Sequence, residues 1–147
     1  MARRAVRHRG HGPPLGRRPA QRSRRSSEDT GGGADVTAPD TYDRLPDAVT
    51  DVFGPDATAA HAYDLLTVDV PAASWTAALE TARDELGCTY FDWLSAVDEP
   101  GTGFRVCAHV AALGGGTVRR LLLRTTVPHD AAVLPTAVGV YAGAAWH

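Results

Sequence analysis

Cys88-Thr-Tyr-Phe-Asp-Trp-Leu-Ser-Ala-Val-Asp98 is the stretch that decides the fold. Extended, it sends Phe91, Trp93 and Val97 one way and Tyr90, Leu94 and Ala96 the other. Side chains alternate across a strand, so a segment apolar on both faces predicts a strand in the interior of a sheet. Asp98-Glu-Pro-Gly-Thr-Gly103 supplies a turn, begun by Asp98, and Phe104-Arg-Val-Cys-Ala-His-Val-Ala111 alternates as its antiparallel partner should.

Upstream, residues 71–87 carry the clearest helical period. Trp75, Leu79, Ala82 and Leu86 form one stripe, Glu80, Arg83 and Asp84 another, Ser74 is the expected cap and Gly87 the terminator. Before it, residues 62–70 predict a strand ending at Pro71, with Tyr63, Leu65 and Thr67 on one side and Leu66, Val68 and Val70 on the other. A first helix is predicted within 41–53, Pro46 near its first turn and Gly54-Pro55 stopping it.

Downstream, three glycines at 114–116 connect to a strand over Thr117–Val127, in which Leu121, Leu123 and Thr125 face opposite to Leu122, Arg124 and Thr126. A phosphate-cradling loop would need a helix start after those glycines, and a strand follows instead. The segment from Pro128 is apolar but broken by Pro135, Gly139 and Gly143, with room for one short helix near 130–138. The sum is an α+β two-layer sandwich: a mostly antiparallel sheet of about four strands with two or three helices on one face.

Charge is segregated along the chain. Residues 1–27 hold nine arginines and no acid, giving +9, while residues 28–147 carry −11, and there is no lysine. Residues 1–40 have almost nothing to bury and are expected to be a disordered extension ahead of a domain over 41–147. Such a tail suits a nucleic-acid or anionic-membrane arm, or serves only as solvated chain; no aromatic residue is interleaved with its arginines to stack on bases. No apolar run reaches the length of a membrane span and no secretory pattern opens the sequence, so a soluble, cytosolic chain is expected.

Cys88 and Cys107 are the only cysteines, and the hairpin reading separates them by roughly 20 Å along the strand. A disulfide needs Cα atoms within about 7 Å, so both are read as buried thiols. Cys107 and His109 share a strand face, but no second pair of ligands completes a metal site, and a satisfied histidine beside a buried thiol fits better. Asp92 and Asp98 fall on one face at six residues' separation, some 20 Å apart, too far for a paired acid and base. Ser95 sits within a strand, without a nucleophile elbow. No catalytic, cofactor-binding or metal-binding residue is expected.

The ordered set Phe91-Asp-Trp-Leu-Ser-Ala-Val-Asp98, Phe104-Arg-Val-Cys-Ala-His-Val110, Val118-Arg-Arg-Leu-Leu-Leu-Arg-Thr-Thr-Val127, Leu134-Pro-Thr136 and Tyr141-Ala-Gly-Ala-Ala-Trp146 resembles the C subunit of bacterial NADH-quinone oxidoreductase. That family includes the matching subunit of mitochondrial complex I and relatives in membrane-bound hydrogenases, and the resemblance covers about residues 45–147. It implies an α+β, non-catalytic scaffold subunit in the peripheral arm on the cytoplasmic side of the cell membrane, part of a translocase that passes electrons from NADH to quinone. NADH, FMN, iron–sulfur clusters and quinone would belong to other subunits. The implied partners are the D-type subunit, which frames the quinone site, and other peripheral-arm subunits. Nucleic acid is not expected, and the membrane is reached only through the complex.

Pro135, Tyr141, Trp146 and His147 are the candidate interface, with Tyr141 and Trp146 expected to be exposed, covering the open end of the sheet or meeting a partner. The family's sequence continues past the tryptophan into a Glu-Arg-Glu stretch and an Asp-x-Phe-Gly segment, so this chain is expected to be C-terminally truncated. Ala108 stands where relatives commonly have Tyr before His. Two other classes remain open: a nucleic-acid-associated module using the arginine tail, and a small enzyme using His109 with Cys107.

Overall fold

The computed structural model describes residues 38–147. The predicted extension lies outside these residues as far as position 37, and positions 38–40 already belong to a helix. In chain order the elements are α1 (Ala38–Asp43), α2 (Val49–Phe53), β1 (Thr58–Ala62), β2 (Leu65–Asp69), α3 (Trp75–Asp84), β3 (Tyr90–Glu99), β4 (Gly103–Gly114) and β5 (Thr117–Val127). Short 3-10 turns follow at His129–Ala131 and Ala142–Trp146. The strands form one sheet in the order β1-β2-β5-β4-β3, every pair antiparallel except β2–β5. The class is α+β as expected, with five strands in place of about four and one parallel pair.

The middle of the sheet is β5, whose sequence announces it. Leu121, Leu123, Thr125 and Val127 are all buried, while the residues between them are only half-covered. Leu121 lies beside Leu66 of β2 and Val110 of β4, and Leu123 beside Val68 and Ala108. The apolar stripe of α3, Trp75, Leu79 and Ala82, with Leu86 just past its end, is fully buried and belongs to the same core. Ala108 is fully buried on this inner face, between Leu94 and Leu123. At the β4–β5 connection, Gly115 and Gly116 both take positive φ, as a two-residue hairpin turn requires.

The decisive stretch forms its strand but not in the interior: β3 is an edge strand. Its apolar outward residues Tyr90, Trp93 and Val97 are exposed rather than covered by a second layer. Alternation reports which side chains share a face and is silent on how many neighbours a strand has. The faces also differ from expectation. Phe91 pairs with Val110 and Trp93 with His109, so Asp92 is an extra residue, a β-bulge that reverses the phase of the strand. Phe91 and Leu94 therefore pack on the same core, while Trp93 turns to the opposite face.

Four further expectations are corrected. The strand over 62–70 is the second half of a hairpin, whose turn is Tyr63-Asp64 and whose first strand is β1. The inward set Leu66, Val68 and Val70 is nonetheless buried as read. The helix over 41–53 is two short helices, because Pro46, in a cis bond to Leu45, sits in the turn between them and has no N–H to continue a helix. Ser74 occupies the cap position of α3 but makes no capping bond. It ends a 3-10 turn over Ala72–Ser74, with φ −94° and ψ 1° instead of the extended geometry a capping side chain needs. No helix forms over 130–138; beyond the turn at His129–Ala131 the chain runs irregularly past Pro135.

Gly103 closes the β3–β4 turn at φ +144°, and a Cβ there would meet the Val127 carbonyl oxygen at 2.2 Å. Gly103→Ala is expected to destabilise the fold by about 1–3 kcal/mol. Leu123→Ala should cost about 2–5 kcal/mol through the cavity it opens at the middle of the sheet. Urea denaturation followed by circular dichroism checks both.

Candidate partner interface

The C-terminal segment crosses the inner face of β3 and is fixed there by contacts at Val140, Tyr141 and Gly143. The Tyr141 hydroxyl donates a hydrogen bond to the Cys88 carbonyl at 2.8 Å, and its ring lies 5.4 Å from that of Phe91. Arg83 Nη1 of α3 donates to the Val140 carbonyl at 3.1 Å. Gly143 passes so close to Phe91 that a Cβ would sit 3.2 Å from its ring. Held in this way, Leu134–Ala137, Ala144 and His147 form one wall of an apolar groove of about 310 Å³. Trp75 of α3 with Leu94 and Val106 of the sheet form the other.

The sequence-predicted interface residues divide between groove and core. Pro135 and His147 line the groove and are exposed, and Trp146 projects beside it, 90% exposed. Tyr141 does not share that role. Expected to be exposed, it is only 4% exposed, because its ring is packed on Phe91 and its hydroxyl is spent on Cys88. The sequence carries no sign that Trp75, Leu94 and Val106 are groove walls. They come from three separate elements, and no local pattern links them.

Several other polar side chains pair with one another. His109 Nδ1 is hydrogen-bonded to Asp92 Oδ2 at 2.9 Å, and its ring stacks on Trp93 at 5.6 Å. His129 Nε2 is bonded to Asp98 Oδ1 at 2.7 Å. The two aspartates therefore answer to different histidines, and the bulge takes Asp92 off the face expected for it. Cys107 shares the outward face with His109, but burial pushes its thiol pKa up, away from the reactive thiolate. Arg124 grips Asp69 with two bonds at 2.9 and 2.6 Å, and Arg119 grips Asp43 with two at 2.8 Å. The bonds from Arg119 hold the Asp43 carboxyl below the usual range. Both cysteines are free. Among the described residues no three or more His, Cys, Asp or Glu side chains gather where a metal ion could be held.

The class defined by these observations is a two-layer α+β domain with an apolar groove built from its C-terminal segment. Residues 68–147, more than half of the chain, match the family described as respiratory-chain NADH dehydrogenase, 30 Kd subunit, and the chain belongs to that family. No curated protein matches it. Among solved structures, it is similar to a chain in the structure of the membrane-bound sulfane sulfur reductase, an archaeal respiratory membrane complex. The TM-score is 0.52 at 21% identity over 67% of this chain, and the match spans 59% of that chain's length. At that identity the likeness is one of fold.

Tyr141→Phe leaves the Cys88 carbonyl without its partner and is expected to cost about 1–3 kcal/mol in urea denaturation. Burial also pushes the Cys88 thiol from 9.0 up to about 12, the Tyr42 hydroxyl from 10.0 up to about 12, and raises the Tyr141 hydroxyl. In each case the folded chain keeps a proton that the unfolded chain releases. The stability this contributes is complete below pH 9 and falls from there as unfolded Cys88 and then the tyrosines ionise; the Cys88 and Tyr42 shares are lost as pH rises through about 12. Cys88→Ala should flatten the decline between pH 9 and 10, leaving the tyrosine contribution above 10; denaturation curves at stepped pH measure both.

Proposed function

We propose that this chain is a non-catalytic scaffold subunit of an NADH-quinone oxidoreductase, a respiratory translocase, and that it braces the D-type subunit framing the quinone site. The observation that carries this reading is that every wall of the groove lies within the residues that match the family. A concave apolar surface beside an exposed tryptophan suits an anchor from a neighbouring protein, since aromatic residues and desolvated pockets dominate protein interfaces. Pro135, Trp146 and His147 are the contact residues in this reading, and Tyr141 supports them from beneath.

The state of the reactive side chains agrees with a supporting role. Cys88 is buried with a raised pKa, and His109 and His129 are occupied by aspartates. In this reading NADH, FMN, iron–sulfur clusters and quinone belong to other subunits. Among the described residues no helix is long and apolar enough to cross a membrane. The chain would sit peripherally on the cytoplasmic side and reach the membrane through its partners, in keeping with the respiratory membrane complex named for its structural neighbour.

Co-expression with the D-type subunit of the same organism, followed by affinity capture and size-exclusion chromatography, tests the proposal. The two should co-elute. Trp146→Ala should weaken capture by about tenfold or more while leaving the melting temperature of the free chain unchanged, because the ring is 90% exposed. A chain that elutes alone and never captures the D-type subunit overturns the reading.

A further inference from the structure

At the edge of the sheet opposite β3, the β1–β2 hairpin turns on two residues, Tyr63 and Asp64, between the paired Ala62 and Leu65. Both central residues are in the left-handed region, Tyr63 at φ +54° and Asp64 at φ +57°. Two-residue hairpins demand this geometry and ordinarily meet it with Asn, Asp or Gly. Asp64 fits that preference; a tyrosine at the first position does not, since its Cβ crowds the backbone there. Among the described residues the ring gains nothing in return, being 100% exposed. A residue that strains the backbone and contributes no packing calls for a role outside the fold.

From this we infer that Tyr63 is an anchor presented to a partner protein, on the reading above that the chain docks on the D-type subunit. The hairpin is a firm mount for it. Leu66 and Val68 of β2 are buried, β2 pairs with β5, and the Asp64 carbonyl receives Arg120 Nη2 at 3.5 Å. The socket that fits is an apolar slot sized for a phenol ring, with a polar group at its floor for the hydroxyl and a neutral or basic rim beside the Asp64 carboxylate. An anionic lipid surface fits less well, because the next residue in the turn, Asp64, carries a carboxylate. The hairpin tip lies outside the residues that match the family, so this contact would be an addition to the groove at the other edge of the sheet.

The test uses the full chain with two variants, Tyr63→Asn and Tyr63→Phe, each co-expressed with the D-type subunit and also purified alone. Asn takes the left-handed turn more readily, so Tyr63→Asn should melt at the wild-type temperature or a few degrees higher, by about 2–4 °C. Its capture of the D-type subunit should weaken by about thirtyfold or more. Tyr63→Phe should bind within about tenfold of wild type. Wild-type capture matched by Tyr63→Asn overturns the anchor while leaving the scaffold reading standing; so does a lowered melting temperature in Tyr63→Asn, which would place the ring's work inside the fold. Failure of the wild-type chain to capture at all overturns the scaffold reading and the anchor that rests on it. Sedimentation with phosphatidylglycerol vesicles that is lost in Tyr63→Asn would overturn the protein anchor in favour of lipid.

Discussion

The pairing of β5 on both sides is the constraint on which the rest of this structure depends. It joins β4 through a two-glycine turn and, on its other edge, runs parallel to β2, far earlier in the chain. Its inner residues Leu121 and Leu123 are buried under the stripe of α3. Its other residues hold the periphery: Arg124 grips Asp69 of β2, Arg119 grips Asp43 of α1, and the Arg120 carbonyl receives the Tyr42 hydroxyl. One strand thus fixes the sheet order, the helix layer and the place of the first helix.

The far edge is arranged on different terms. A sheet ending in an exposed strand of ten residues is an invitation to unwanted pairing, and here it is managed by a bulge, by charged residues and by a covering segment. The C-terminal segment that covers β3 is irregular, so it is held by side chains, Tyr141 above all, and by the arginine of α3 that reaches Val140. Where this cover bridges helix and sheet it leaves the groove. The concave surface is a by-product of how the edge is closed, which ties its shape to the same contacts that secure the fold.

Much of this was legible from the residues, and the failures have identifiable causes. The bounds of β5 and the buried stripe of α3 could be read directly because each repeats its period over several turns or pairs without interruption. The hairpin at β1–β2 was hidden because Tyr63-Asp64 carries no glycine or asparagine to mark a turn. The edge position of β3 is not legible because aromatic residues left in solvent look, in sequence, like aromatic residues buried in a second layer. Tyr141 reads in sequence as a surface residue because its covering partners, Phe91 and Cys88, lie some fifty positions earlier in the chain. Contacts at that separation leave no periodic trace.

The bulge at Asp92 has one more consequence, for how the protein tolerates change. Ahead of it the odd-numbered Phe91 faces inward; behind it the even-numbered Leu94 and Ala96 do. Mutational sensitivity along this strand should therefore switch parity midway. Any homologue in which a single residue has been gained or lost there would present its aromatic side chains to the opposite side, although its composition would scarcely have altered.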